Sequence, residues 1–207
     1  DTAEGEKLFK ADRIFINTGA TPFVPPVEGL TIGGAIHTSE TIMNLEEYPE
    51  SLVIIGSGFI GLEFAATYAQ FGTKVTVVDV IDTFLPREDE DVAQAVKEQL
   101  EALGVTFNLG VQLKAVHQEG GKVVVEATTA EGAPVAFTTD AVLVATGRRA
   151  NVQGLDLDKA GVELTERGAI KVNEFLQTNV PHIFAMGDVN GGPQFTFVSL
   201  DDFRIVK

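Results

Sequence analysis

The sequence predicts an α/β protein: a parallel sheet with crossover helices and an antiparallel three-strand meander, set between two pieces of a second α/β domain. Three observations predict it. First, an apolar run, Leu52-Val53-Ile54-Ile55, leads into Gly56-Ser57-Gly58-Phe59-Ile60-Gly61, a G-x-G-x-x-G turn that opens a helix-patterned stretch. Second, strand and helix patterns alternate from residue 52 to residue 109, as successive parallel strands require. Third, a strand ending in Thr-Gly occurs twice, as Ile14-Phe15-Ile16-Asn17-Thr18-Gly19 and Leu143-Val144-Ala145-Thr146-Gly147, on either side of that alternation.

The elements follow in order. Residues 11–20 read as a short buried strand ending in a turn, and residues 21–29, with Pro22, Pro25 and Pro26, as an extended, proline-stiffened connector. Thr38-Ser39-Glu40-Thr41 caps a short helix running to about Leu45, which Tyr48-Pro49-Glu50 ends, so a domain boundary is expected near residue 37. After the glycine turn, Ile60, Phe64 and Tyr68 give one helical face with Ala65 and Ala69 beside it, and Phe71-Gly72 supplies the stop. Lys74 to Asp79 is the next strand. A loop over 84–90 precedes a helix patterned by Val92, Val96, Leu100 and Leu103 that stops at Gly104; its acidic opening, residues 88–91, suits the positive end of the helix dipole. Val105 to Leu109 completes β-α-β-α-β, half of a doubly wound, Rossmann-like sheet with right-handed crossovers.

Residues 113–117, 122–128 and 134–138 predict the meander, with turns at Glu119-Gly120-Gly121 and Ala130-Glu131-Gly132. Residues 140–145 return the chain to the parallel sheet, and residues 168–173 and 183–188 read as two further short strands of the host domain. The expected division is therefore 1–37, 38–148 and 149–207, the middle piece being inserted into the host.

The glycine turn carries the chemistry. Its first glycine permits the tight turn, its second lets backbone approach a pyrophosphate, and its third lets the helix pack closely on the strand. The phosphates then sit on unpaired N–H groups at the helix start. Asp79 falls 18 positions after Gly61, where a carboxylate accepts hydrogen bonds from the adenosine ribose hydroxyls and repels the 2′-phosphate of NADP. No Lys or Arg follows before Arg87, so NAD is expected in preference to NADP. The competing reading is a plain glycine turn joining strand to helix. Arg148 and Arg149 are candidate positive partners for the phosphates, or else two solvated surface charges.

Composition removes several classes. The 207 residues carry a formal net charge of −15, which argues against nucleic acid or an anionic membrane as partner. With no cysteine, the chain itself carries no disulfide, thiol catalysis or thiolate metal site. His37, His117 and His182 are scattered and make no ligand pattern, so no metal is expected. No apolar run reaches the roughly 18 residues of a membrane span, and the first 30 residues show no secretory signal, so a cytoplasmic protein is the expectation.

Taken together, the motifs resemble the flavin-dependent pyridine nucleotide-disulfide oxidoreductases, the family of glutathione reductase, dihydrolipoamide dehydrogenase and mercuric reductase. Four segments match in the family's order: Thr18-Gly19, the Gly56 to Glu63 turn and helix, Ala145-Thr146-Gly147-Arg148 with Asn151, and Thr178 to Asp188. Residues 191–203 look like a subgroup of bacterial flavoproteins that defend against reactive chlorine and hypothiocyanous acid.

The resemblance implies roles. Gly56, Gly58 and Gly61 would cradle the NAD pyrophosphate, with Ile60 also among the cofactor-binding residues, Asp79 would hold the adenosine ribose, and Gly147 would pass its backbone near the nicotinamide half. Phe59 matches the aromatic gate over the flavin, or is a core aromatic; Glu63 matches the glutamate beside the nicotinamide carboxamide, or is a helix-surface carboxylate. Thr18, Gly19 and Asp188 belong with FAD, Asp188 accepting from the ribityl chain unless Gly187-Asp188 is only a turn.

Departures from the family pattern matter too. The family's own FAD-binding G-x-G-x-x-G and its C-x4-C pair are not in this sequence, nor is its interface domain, and Ala150 stands where the family usually has proline. The resemblance therefore implies an internal piece of a reductase, with no catalytic residue of its own. The parent would be a homodimer passing electrons from NADH to a small-molecule or disulfide oxidant through FAD, and the piece alone would be monomeric. A fragment of dihydrolipoamide dehydrogenase or mercuric reductase, a non-catalytic NAD-sensing module, and a structural fragment without ligand are the alternatives.

Overall fold

The computed structural model describes Gly5 and residues 7–207 and divides the chain into two compact units, Pro22–Gly147 and a second built from residues 1–21 with 148–207. The first unit starts at Pro22, ahead of the boundary expected near residue 37. The reason lies in packing: Leu30 and Ile36 are buried in its core, with Val24, Val27 and Ile32 packed against them, so the proline-rich segment is part of this unit as well as a connector.

Its centre is a five-stranded parallel sheet in the order β3 (Ile36–Thr38), β10 (Ala141–Val144), β4 (Ser51–Ile55), β5 (Lys74–Val78), β6 (Thr106–Asn108). Helices α1 (Phe59–Gln70) and α2 (Glu90–Ala102) make the crossovers. The meander is β7 (Gln112–Glu119), β8 (Lys122–Thr128) and β9 (Pro134–Thr139), antiparallel throughout, and it delivers the chain to β10 as expected.

The apolar runs have a direct cause. Along β4, Leu52 and Ile54 point into the core shared with Leu62, Ala65, Tyr68 and Leu100 of the helices, whereas Val53 and Ile55 point into the core shared with Val116, Val123 and Val125 of the meander. A strand covered on both faces needs apolar side chains at every position, so alternation is absent.

Two helical faces differ from expectation. On α1 the buried positions are Gly61, Leu62, Ala65 and Tyr68, while Ile60 and Phe64 are only partly buried. On α2, Ala93 and Leu100 are buried, and Val92 and Leu103 are 48 % and 43 % exposed. The short helix expected to run to Leu45 is a single 3-10 turn, Ile42–Asn44, because the Thr41 hydroxyl accepts from Thr38 N–H (3.0 Å) and the Thr38 hydroxyl from Glu40 N–H (3.3 Å) instead of capping a longer helix. Sequence reasoning also missed β3, only three residues long and spanning the expected boundary.

At the amino ends of β4 and β10, Asp140 gathers the sheet. Its Oδ2 accepts from Ser51 N–H (2.9 Å) and Ser51 Oγ (2.6 Å), its N–H donates to Ser51 Oγ (3.0 Å), and Lys122 of β8 pairs with its Oδ1. The Lys122 ammonium, then the Ser51 hydroxyl, hold this carboxyl below the usual carboxylate range, outweighing partial burial. A depressed folded value means a contribution fully present above the unfolded value, about 3.9, and lost as pH falls through the folded one. Melting temperature should therefore fall on acidification below about pH 4, and Asp140→Asn, less stable at neutral pH, should flatten that part of the curve; an unchanged acid limb in the variant would show that Asp140 is not responsible.

The second unit is thinner. β1 (Ile14–Ile16) pairs in parallel with β12 (Ile183–Ala185), and β2 (Ala20–Pro22) pairs with β11 (Arg148–Ala150). Residues 11–20 were expected to hold a buried strand; the strand is there, but Ile14 and Phe15 are 44 % and 42 % exposed, since β12 is the sole partner of β1 among the described residues. Residues 168–173 are not a strand. Ile170 is fully buried among Leu157, Val162, Ile183 and Val189, and it makes one antiparallel bridge to Leu164, so its apolar character reports burial and not extension. Helix α3 (Thr196–Val206) was missed, because its buried position is an aspartate, Asp202, while Phe197, Leu200, Phe203 and Ile205 are exposed.

Candidate dinucleotide-binding site

The three glycines of the turn have different physical reasons to be there. Gly56 has φ +110°, and a Cβ on it would lie 2.4 Å from the Ala145 carbonyl oxygen, because the turn passes directly over the carboxyl end of β10. Gly61 has ordinary helical backbone, but its Cβ would lie 2.2 Å from the Gly56 carbonyl oxygen, so a side chain would push α1 off the turn. Gly58 is unlike both. It caps α1 with φ −74° and ψ 175°, which any residue adopts, and a Cβ there would meet no atom within 4 Å. The fold therefore explains glycine at 56 and 61 and leaves glycine at 58 without a structural requirement, which a ligand approaching the backbone would supply.

Position 58 opens α1 with no side-chain cap, so the first N–H groups of the helix point past it. The site sits at the carboxyl ends of adjacent parallel strands, since Gly56 N–H bonds to the Val78 carbonyl (2.8 Å) and Ala145 N–H to the Ile55 carbonyl (2.8 Å). That edge is where open α/β sheets hold nucleotides. A cavity lined by His37, Tyr48, Lys122 and Asp140 lies at the amino ends of the same strands.

Asp79 follows the last residue of β5, half-buried. Its Oδ2 accepts from Ser57 N–H (2.6 Å) and Ser57 Oγ (2.7 Å), and its Oδ1 accepts from Ile81 N–H (3.1 Å). The carboxylate expected to read the ribose is thus fastened to the glycine turn. Sequence reasoning missed Ser57; a hydroxyl residue in the middle of G-x-G, followed by an aspartate one strand later, was the available signal.

The remaining predicted residues of this unit fall around the turn. Phe59 and Glu63 are exposed on the first turns of α1, Phe59 at 51 %, so the core-aromatic alternative for Phe59 does not hold. Ile60 is partly buried beside them. Gly147 is exposed with φ +113°, one residue after Thr146, whose hydroxyl donates to the Phe23 carbonyl (2.7 Å); Phe23 N–H in turn donates to the Gly147 carbonyl (2.9 Å).

In the other unit, the first Thr-Gly is tied to Asn151: Thr18 Oγ1 donates to the Asn151 carbonyl (2.6 Å), and Asn151 N–H donates to the Gly19 carbonyl (2.8 Å). Arg148 donates through Nη2 to the Ala20 carbonyl, which gives its guanidinium a structural task. Asp188 lies in a 3-10 turn, Gly187–Asn190, that Asp202 holds from α3 by accepting from Gly187 N–H (2.8 Å) and Asn190 Nδ2 (3.0 Å).

A family profile described as pyridine nucleotide-disulphide oxidoreductase matches residues 1–202. The chain belongs to this family. Among its curated relatives, the chain is 42 % identical to the probable pyridine nucleotide-disulfide oxidoreductase RclA of Escherichia coli over 204 residues, covering 99 % of this chain and 45 % of RclA. It is 38 % identical to dihydrolipoyl dehydrogenase of Bacillus subtilis over 200 residues, 96 % of this chain and 42 % of that one. A solved structure, the Cu(II) complex of the HOCl-induced flavoprotein disulfide reductase RclA from E. coli, superposes with a TM-score of 0.94 at 40 % identity over all of this chain and 46 % of that one. LpdA of Mycobacterium tuberculosis gives 0.88 at 30 % identity, over 98 % of this chain and 43 % of its own. The chain spans about half the length of the relatives it matches.

Proposed function

We propose that this chain is the NAD(P)H-binding core of an FAD-dependent pyridine nucleotide-disulfide oxidoreductase, which positions nicotinamide for hydride transfer to flavin and prefers NADH to NADPH. The observation that carries the reading is Gly58, a glycine at a helix start with permitted backbone angles and open space where its side chain would be. Pyrophosphate oxygens would sit on the N–H groups of the α1 start, with Gly56 and Gly61 setting the turn and Ile60 behind it. Asp79 would take the adenosine ribose, Phe59 and Glu63 would border the nicotinamide, and Gly147 would approach it through backbone.

When bound, flavin supplies the acceptor for the hydride. The residues of this chain that suit it are Asp188, whose carboxylate would accept from the ribityl chain on a turn that Asp202 keeps rigid, and Thr18-Gly19, held by Asn151. We assign the parent protein to the RclA-like reductases, on 42 % identity and the 191–203 segment, acting in the cytoplasm as a homodimer on a small-molecule or disulfide oxidant.

Calorimetric titration of the chain with NADH and NADPH, repeated on Asp79→Asn, tests the reading. NADH should bind tighter than NADPH, and the variant should lose about tenfold in NADH affinity, the scale of a lost charge-assisted hydrogen bond. Failure of both nucleotides to bind would overturn the proposed site.

A further inference from the structure

Ser57 is the one residue of the glycine turn whose side chain is buried in it, 5 % exposed, with both its N–H and its hydroxyl on one oxygen of Asp79. Any residue at position 57 could provide the N–H bond; only a hydroxyl residue provides the second. A carboxylate offers about four acceptor positions, and here three are taken, two on Oδ2 by Ser57 and one on Oδ1 by Ile81 N–H. The free capacity lies mainly on Oδ1. Because Ser57 donates its proton to Asp79, its own oxygen is left as an acceptor beside that carboxylate.

We propose that Ser57 is a specificity-determining residue for the nucleotide. Its hydroxyl locks Asp79 in the orientation that meets two vicinal ribose hydroxyls and cannot swing away from a 2′-phosphate. This rests on the dinucleotide reading above and deepens it. A carboxylate fixed by three donors from its own protein gives little ground to an incoming phosphate, whereas one held by the two backbone N–H groups alone is held less firmly. The ribose hydroxyls meanwhile find the remaining acceptor capacity of Asp79, mainly on Oδ1, already held in place by the Ser57 bonds to Oδ2. Turn geometry and nucleotide choice are thereby set by one pair of side chains.

The experiment measures the dissociation constants of NADH and NADPH for the unmodified chain, Ser57→Ala, Asp79→Asn and the double variant, with thermal melts of all four. Ser57→Ala should weaken NADH by about five- to tenfold and NADPH by about twofold or less, narrowing their ratio, in line with loss of one charge-assisted hydrogen bond. In the Asp79→Asn background the same substitution should leave the ratio unchanged, as coupled residues require. Equal weakening of both nucleotides by Ser57→Ala would mean a damaged turn and overturn the proposal, as would unchanged affinities. An unmodified chain that binds neither nucleotide would overturn the dinucleotide reading itself and this inference with it, an outcome separate from any effect of Ser57.

Discussion

Gly58→Ala should leave the chain folded and remove nucleotide binding. The backbone at 58 is in the extended region that alanine adopts freely, and the added methyl meets nothing within 4 Å. Two small effects on stability oppose each other: alanine is a poorer helix cap than glycine by about 1 kcal/mol, and it lowers the entropy of the unfolded chain by about 0.4–1 kcal/mol. The melting temperature should therefore move by no more than about 3 °C. On the proposed reading the methyl group would occupy the space through which a pyrophosphate would reach the helix start, so NADH affinity should fall by at least about thirtyfold, or 2 kcal/mol. Calorimetry and a thermal melt on the same sample decide the matter. Binding retained at full strength would mean that the turn meets no phosphate.

Gly61→Ala should do the opposite, costing stability before binding is even considered. Its Cβ would stand 2.2 Å from a backbone oxygen, that of Gly56, and 3.4 Å from the Ile54 side chain, so relief needs a shift of α1 relative to β4. That seam buries Leu62, Ala65, Ile54 and Leu143, and prying it open forfeits packing in the middle of the core. Overpacking of this kind costs about 3 kcal/mol or more where backbone must move. For a chain of this size the midpoint should drop by about 6–12 °C, measured by calorimetry or denaturant melts. A drop under 2 °C would show that the helix has slack at the seam and that the third glycine has another cause.

These two substitutions show why the motif was legible in sequence while its mechanics were not. The spacing of Gly56, Gly58 and Gly61 after an apolar run announces a strand, a turn and a helix, and β4, α1 and β5 lie where that pattern puts them. The parallel sheet and the meander were likewise readable, because strands covered on both faces leave unbroken apolar runs and those covered on one face leave alternation. What escaped was set by polar groups and by partners distant in sequence. Asp202 gives α3 a buried face with no apolar signature, β3 acquires its identity only from pairing with β10, more than a hundred residues later, and Ile170 looks like a strand because burial and extension favour the same side chains. Ser57 was hidden by the motif notation itself, which writes it as x.

The hydrogen bonds between Phe23 and the Thr146-Gly147 pair carry a consequence for the history of such proteins. They fasten the two ends of the Pro22–Gly147 unit to each other, so all 126 residues between them leave and rejoin the rest of the polypeptide at nearly a single point. A module closed in this way can be spliced into a surface loop of another protein without stretching either partner, and could be circularly permuted by bridging Pro22 to Gly147 and opening a meander turn such as Gly120-Gly121. Recombination would then need only one permissive loop in a recipient to bring in the whole unit.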